Sequence, residues 1–142
     1  VTGTVVSVGD GDTVTVRDAD SAQHRVRFFA IDAPESAQEF GPESKAHLSS
    51  RVLGKPVCVV VIEKDRYGRE VGTVFVDGED MNLAQLRAGL AWHYKAHQRE
   101  QSATDRAAYD KAEDQARAER QGLWKEPVAI APWDYRKVHP PR

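Results

Sequence analysis

Several things are scarce in this 142-residue sequence. It has one cysteine, Cys58, so an intramolecular disulfide framework is excluded. It has no apolar run of membrane-span length, which leaves no candidate transmembrane helix. It has no surplus of basic charge: 20 Lys and Arg stand against 22 Asp and Glu, a net charge of −2. That balance does not advertise a nucleic-acid binder through bulk charge, although a local basic patch can outweigh the total. No paired His/Cys spacing suggests zinc, no EF-hand loop is present, and the five histidines are scattered as surface or structural residues. Internal repeats and a signal-peptide pattern are also lacking. The chain opens at Val1, which leaves a leader or longer N-terminus open.

What is present is a valine- and threonine-rich first half. Strands are predicted over residues 2–8, 13–17, 23–31, 57–63 and 71–76, with Asp77-Gly78 as a tight-turn signal. Cys58, inside VCVVVI, reads as a small packed apolar residue. Three helices are expected. The first covers residues 42–53, with Pro42 at its start and Gly54 past its end. The second is short, with Asn82 as N-cap, Gln85 as capping-box partner, a Met81–Leu86 staple and Gly89 as stop. The third covers residues 99–121, with an apolar stripe of Ala108, Tyr109, Ala112 and Ala116. The proline-rich tail, residues 125–142, reads as irregular chain laid over the domain. The three tryptophans read as core or tail-anchoring residues. Strand count and order describe an α+β fold: a five-stranded Greek-key barrel of the OB type with three helices, in a single domain over 1–142.

Three clusters carry charge where a bland strand would not. In DGDT, residues 10–13, Asp12 falls on the same side as the apolar positions Val14 and Val16, and burying an unpaired carboxylate is costly. Asp12, Asp32 and Glu35 stand at strand ends beside Gly or Pro, and oxygen donors of this kind suit a hard cation. Taken alone, DGDT fits turn-capping aspartates as well. Arg27 and Arg69 can hold phosphate through a planar, permanently charged fork. Taken singly, each also fits a solvent-facing residue. Strict alternation puts Arg27 and Asp32 on opposite faces of one strand, so a shared site requires a break near residues 29–31.

Together the segments DGDTV, RVRFFAIDAPE, FGPES, KDRYGR, NLAQLRAGLAWHY and GLW resemble, in order, the staphylococcal nuclease (thermonuclease) family. DGDT is weak by itself; followed by R-x(4)-D-x-P-E and D-x-YGR it is specific. The resemblance implies an OB-fold barrel and Ca²⁺-dependent hydrolysis of DNA and RNA, single-stranded or frayed, with little sequence specificity and 3′-phosphate products. It implies Asp12, Asp32 and the carbonyl of Ala33 as metal ligands, with Mn²⁺ or Mg²⁺ left open. It implies Glu35 as general base or water-orienting group, and Arg27 and Arg69 as catalytic phosphate-binding residues. Arg66, Tyr67 and Tyr94 match substrate-contacting positions. A monomer, extracellular or periplasmic and without a membrane partner, is the expected setting. The sequence departs from the best-known member at Ala33, which removes a hydroxyl, and in the short loop SAQEF, which lacks a lysine-rich excursion. The competing expectation is a non-catalytic OB module that binds nucleic acid or a partner.

Overall fold

Alternation with period two builds the barrel. The computed structural model describes residues 1–140, with the side chains of residues 97–99 outside that description. Strands β1 (Thr2–Asp10), β2 (Thr13–Arg17) and β3 (Gln23–Phe28) form an antiparallel meander. β4 is a two-residue strand, Ile31–Asp32. Helix α1 (Gly41–Val52) leads to β5 (Pro56–Lys64), which pairs with both β1 and β6 (Glu70–Val76). Parallel pairing of β3 with β6 closes five strands into a barrel. The chain continues through β7 (Glu79–Asp80), α2 (Met81–Arg87) and β8 (Trp92–His93), which pairs with β4. A 3₁₀ segment (Lys95–Glu100), α3 (Ala103–Ala118), a second 3₁₀ turn (Gly122–Lys125) and α4 (Pro132–Val138) follow. Among the described residues no helix is long and apolar enough to cross a membrane.

Val14, Val16, Val26, Phe28, Val57, Val59 and Val74 point into the barrel, where Leu48 and Val52 of α1 and Leu86 of α2 join them. Each such side chain contributes about 1.5–3 kcal/mol on leaving water. The same period turns Cys58 outward between Val57 and Val59, so it is exposed rather than packed. Asp77 and Gly78 both take positive φ, 50° and 79°, and the tight turn stands as expected.

Four α-helices stand among the described residues where three were expected. The expected α3 was too long: Ser102 caps it by accepting from Asp105 N–H, and the chain before it, including Arg99, takes the 3₁₀ form. Tyr109, Ala112 and Ala116 are buried along the predicted stripe. In α2 the cap is Asp80, whose carboxylate accepts from Leu83 N–H at 2.9 Å, and not Asn82. Asn82 and Gln85 are buried inside the helix and bind strand and loop backbone instead of capping. The tail is not irregular throughout, because Pro132–Val138 is helical. Trp133 of α4 packs against Trp92 at 5.4 Å, and Trp92 against Trp124 at 4.7 Å, so the tryptophans do anchor the tail.

The histidines that lie among the described side chains are structural. His47 is paired with Gln85, and His93 is buried between Asp110 and Gln101. His139 stacks on Tyr135, and the His97 side chain lies outside the described residues. His24 ties β3 to Asp18 (2.7 Å) and to Glu70 of β6 (2.6 Å). Hydrogen bonds to those carboxylates, Asp18 first, raise its pKa above the ordinary 6.5. A histidine raised on folding contributes stability that is full below the unfolded pKa and is lost as pH rises through the folded one. The stability gap between wild type and His24→Gln is therefore expected to be larger near pH 6 than near pH 8, as read by urea unfolding at both values. A gap that widens toward pH 8 would reverse the sign of the effect.

Candidate active site

The strand break anticipated between Arg27 and Asp32 is present. β3 ends at Phe28, Ala30 takes φ of 66°, and β4 starts at Ile31. Buried Asn82 secures the break from α2: its Nδ2 donates to Phe29 O (3.0 Å) and Gly72 O (3.2 Å), while its Oδ1 accepts from Val74 N–H (3.2 Å). Phe29 N–H donates to Gly72 O, and Tyr94 N–H to Ala30 O. The break brings Arg27 and Asp32 to one side. Arg27 Nη2 lies 3.3 Å from Asp32 Oδ1, and Arg27 Nη1 lies 3.1 Å from Asp12 Oδ2. Arg27 Nη1 also donates to the carbonyls of Phe28 and Ile31.

Asp12 is 4% exposed and Asp32 2%, so the sequence's unusual inward carboxylate is indeed buried. Asp12 Oδ2 accepts from Ala33 N–H at 2.7 Å, and Asp12 Oδ1 from the Thr13 hydroxyl at 3.0 Å. Burial alone would raise the Asp12 carboxyl, but the Arg27 guanidinium and these hydrogen bonds outweigh it and hold the group below the ordinary value. Burial, helped by the Asp12 charge, raises the Asp32 carboxyl in spite of Arg136 and Arg27. Asp10 is pushed up to about 7 by burial and by Asp12.

Two glycines permit this approach. A Cβ on Gly11 would lie 1.8 Å from Ser44 Oγ, so α1 packs directly on the DGDT turn. A Cβ on Gly41 would lie 2.0 Å from Glu35 O, so the loop after Glu35 folds tightly onto the start of α1. In that loop Gln38 N–H donates to Glu35 O at 2.9 Å. Gln85 links α2 to the same region through Gly11 O (2.9 Å) and Ser44 O (3.1 Å).

Asp12, Arg27, Asp32 and Ala33 therefore converge, and the Glu35 carboxylate stands near them through a cation, Arg136, that it shares with Asp32. Arg69 does not join them by contact: Asp65 holds its guanidinium at 2.7 Å, and among the described residues no ion pair links it to Asp12, Asp32 or Glu35. It stands two residues before Val71, the β6 partner of Arg27, which puts it on the flank of the site. Arg66 and Tyr67 occupy the same exposed turn, with the Arg66 cation 5.2 Å from the Tyr67 ring centre. Tyr94 lies beside the strand break and packs on Trp133 at 5.5 Å.

The residue that sequence reasoning missed is Arg136 of α4. Its Nε lies 2.5 Å from Glu35 Oε1, its Nη2 2.5 Å from Asp32 Oδ1, and its Nη1 3.1 Å from Asp32 Oδ2. A helix here was readable from Pro132 at its start, Asp134 in the first turn and Arg136-Lys137 in the last. Nothing local says that Arg136 reaches residues a hundred positions earlier.

A hard cation would find only oxygen donors at Asp12 and Asp32, which fits its chemistry. Among the described residues no group of three or more metal-ligating side chains is assembled, so carbonyl and water ligands would have to complete a shell.

The chain matches the family described as staphylococcal nuclease homologue over residues 25–126. It is 41% identical over 135 residues to an uncharacterised endonuclease of Escherichia coli, covering 94% of this chain and 84% of that protein. It is 35% identical over 145 residues to a micrococcal nuclease of Shigella flexneri, covering 96% and 80%. Against a staphylococcal-like nuclease of Arabidopsis thaliana the identity is 40% over 113 residues, covering 80% of this chain and 33% of that longer protein.

Proposed function

Because the chain belongs to the staphylococcal nuclease family, we propose that it is a Ca²⁺-dependent phosphodiesterase acting on DNA and RNA with little sequence specificity and leaving 3′-phosphates. The observation that supports this reading best is the convergence of Asp12, Arg27 and Asp32 at the strand break, with Glu35 three residues beyond. Asp12, Asp32 and the Ala33 carbonyl would hold the ion. A bound Ca²⁺ would supply charge neutralisation at a phosphate oxygen.

The remaining work falls to the chain's own side chains. Arg27 presents a fork already held in place by two carbonyls and two carboxylates, so little reorganisation is needed when a phosphate arrives. Arg69, on a turn fixed by Asp65, adds a second cation from the flank. Both favour the extra charge that builds on phosphorus. Glu35 is half-buried at the rim, open enough to take a proton from water or to orient it for in-line attack. Tyr94, and Arg66 with Tyr67, would touch the flanking nucleotides. These groups recognise phosphate and stack on bases without reading base edges, which agrees with low sequence specificity. An exported monomer remains the setting that the family resemblance supports.

The test is a digest of single-stranded DNA with Ca²⁺ beside one with chelator, together with calorimetry on wild type and Asp12→Ala. Cleavage that needs the ion and a loss of Ca²⁺ affinity in the variant are expected. Equal Ca²⁺ affinity in both proteins would remove Asp12 from the site. A wild type that binds oligonucleotide and never cuts it would favour the binding-module reading.

A further inference from the structure

Helix α4 covers three of the positions that the proposed reaction needs. Arg136 grips both oxygens of Asp32 and one oxygen of Glu35. Trp133, three residues earlier on the same helix, lies 5.5 Å from the Tyr94 ring and 5.4 Å from Trp92, the strand partner of Asp32. The helix is seated by buried Ala131 and Pro132 and by a hydrogen bond from Gln38 Nε2 to Ile130 O at 2.7 Å. On its other side an open cleft, lined by Glu35, Ser36, Tyr135, Arg136 and His139, separates it from the loop after Glu35. Arg136 itself is a third exposed.

The charge arithmetic is direct. Asp32 is buried and already faces the Arg27 guanidinium, and Arg136 adds a second cation at shorter range. A divalent ion seeking Asp32 meets both an occupied carboxylate and a positive neighbour.

We propose that α4 is an internal competitor of the site: Arg136 holds Asp32 and Glu35, and Ca²⁺ binding displaces it and loosens the seat of α4. This rests on the Ca²⁺-dependent reading above. A guanidinium and a divalent ion both neutralise Asp32, but only the ion leaves Glu35 free to act on water. The helix that carries Arg136 also lays Trp133 over Tyr94, so one displacement opens both the metal ligand and the base platform. By linkage, Ca²⁺ weakens the docking of α4 by the same factor by which docked α4 weakens Ca²⁺.

Two measurements on the full chain test it. Calorimetry with Ca²⁺ as the only ligand compares wild type, Arg136→Lys and Arg136→Ala, with urea unfolding of each to establish that it is folded. Arg136→Ala is expected to bind Ca²⁺ roughly tenfold more tightly than wild type, within the usual range of a coupling between sites. Arg136→Lys, which keeps the charge and loses the fork, should fall between them. Hydrogen exchange of wild type then follows the Asp134, Tyr135 and His139 amides, which close the turns of α4. They should exchange faster with Ca²⁺ than with chelator. Equal or weaker Ca²⁺ affinity in Arg136→Ala overturns the proposal, as does unchanged or slower exchange of α4 on adding Ca²⁺. Weaker affinity together with lower kcat would make Arg136 a positioning residue for Glu35. Absence of Ca²⁺ heat and of cleavage in wild type and variants alike is a different pattern: it removes the ion itself, and this inference with it.

Discussion

Glu35→Gln is expected to lower kcat on single-stranded DNA by about 10² to 10⁴ at saturating Ca²⁺ while leaving the Kd for a non-hydrolysable oligonucleotide nearly unchanged. The fall corresponds to roughly 3 to 5 kcal/mol of barrier. The reasoning starts from what the substitution keeps. Glutamine preserves size and a polar contact; it removes the negative charge and the basicity. Under the proposed function, Asp12 and Asp32 would remain to hold the ion, and Arg27 and Arg69 to hold phosphate. Only the group that acts on water is lost, so the deficit belongs to the transition state. The variant also loses the charged partner that Arg136 grips at 2.5 Å. If α4 competes with the ion, Ca²⁺ affinity should hold or rise in Glu35→Gln. A variant that cuts at near wild-type rate would show that Glu35 is not the base, and the role carried over from the family would fail at its most important residue.

The second large effect is on the fold. Asn82→Leu keeps the volume and removes three hydrogen bonds, those to Phe29 O, Gly72 O and Val74 N–H. Gly72 O keeps its bond from Phe29 N–H, whereas Phe29 O and Val74 N–H each lose a buried partner. Leaving Val74 N–H unsatisfied costs about 1–3 kcal/mol and losing the bond to Phe29 O about 0.5–1.5, so the variant should lose roughly 2–4 kcal/mol of stability. For a chain of this size the loss lowers Tm by roughly 10 °C. The same bonds hold the break at Phe29–Ala30 that turns Asp32 toward Arg27. Activity per folded molecule should therefore fall as well, even well below Tm. Urea unfolding gives the first quantity and kcat at low temperature the second. A loss below about 1 kcal/mol would mean that the break is held by packing of Phe28 and Phe29 and not by Asn82.

The barrel was legible because its information is local. Val14 and Val16, and Val26 and Phe28, alternate with outward residues, and that period sets which face is buried. The conflict between Arg27 and Asp32 was legible for the same reason: two residues of odd separation cannot share a face unless the strand breaks. Helix starts were less secure. Asn82 looked like a cap because Asn at that spacing often is one, and nothing in the neighbouring residues reveals that its amide is spent on Phe29 and Gly72. Cys58 was misplaced because an unbroken apolar run hides its phase, and only the pairing of β5 with β1 and β6 decides which residues face in.

Residue type and spacing, by themselves, marked the five main strands and, through motifs standing in a fixed order along the chain, the family and the candidate residues Asp12, Arg27, Asp32 and Glu35. The tertiary structure alone decided what surrounds that group. Arg136 is 104 positions from Asp32, and its arrival depends on how Trp133 seats against Trp92 and how the chain from Gly122 to Pro132 turns back over the barrel. Such a contact leaves no period and no motif. It follows from shape, and from the energy of placing one guanidinium between a buried carboxylate and a half-buried one.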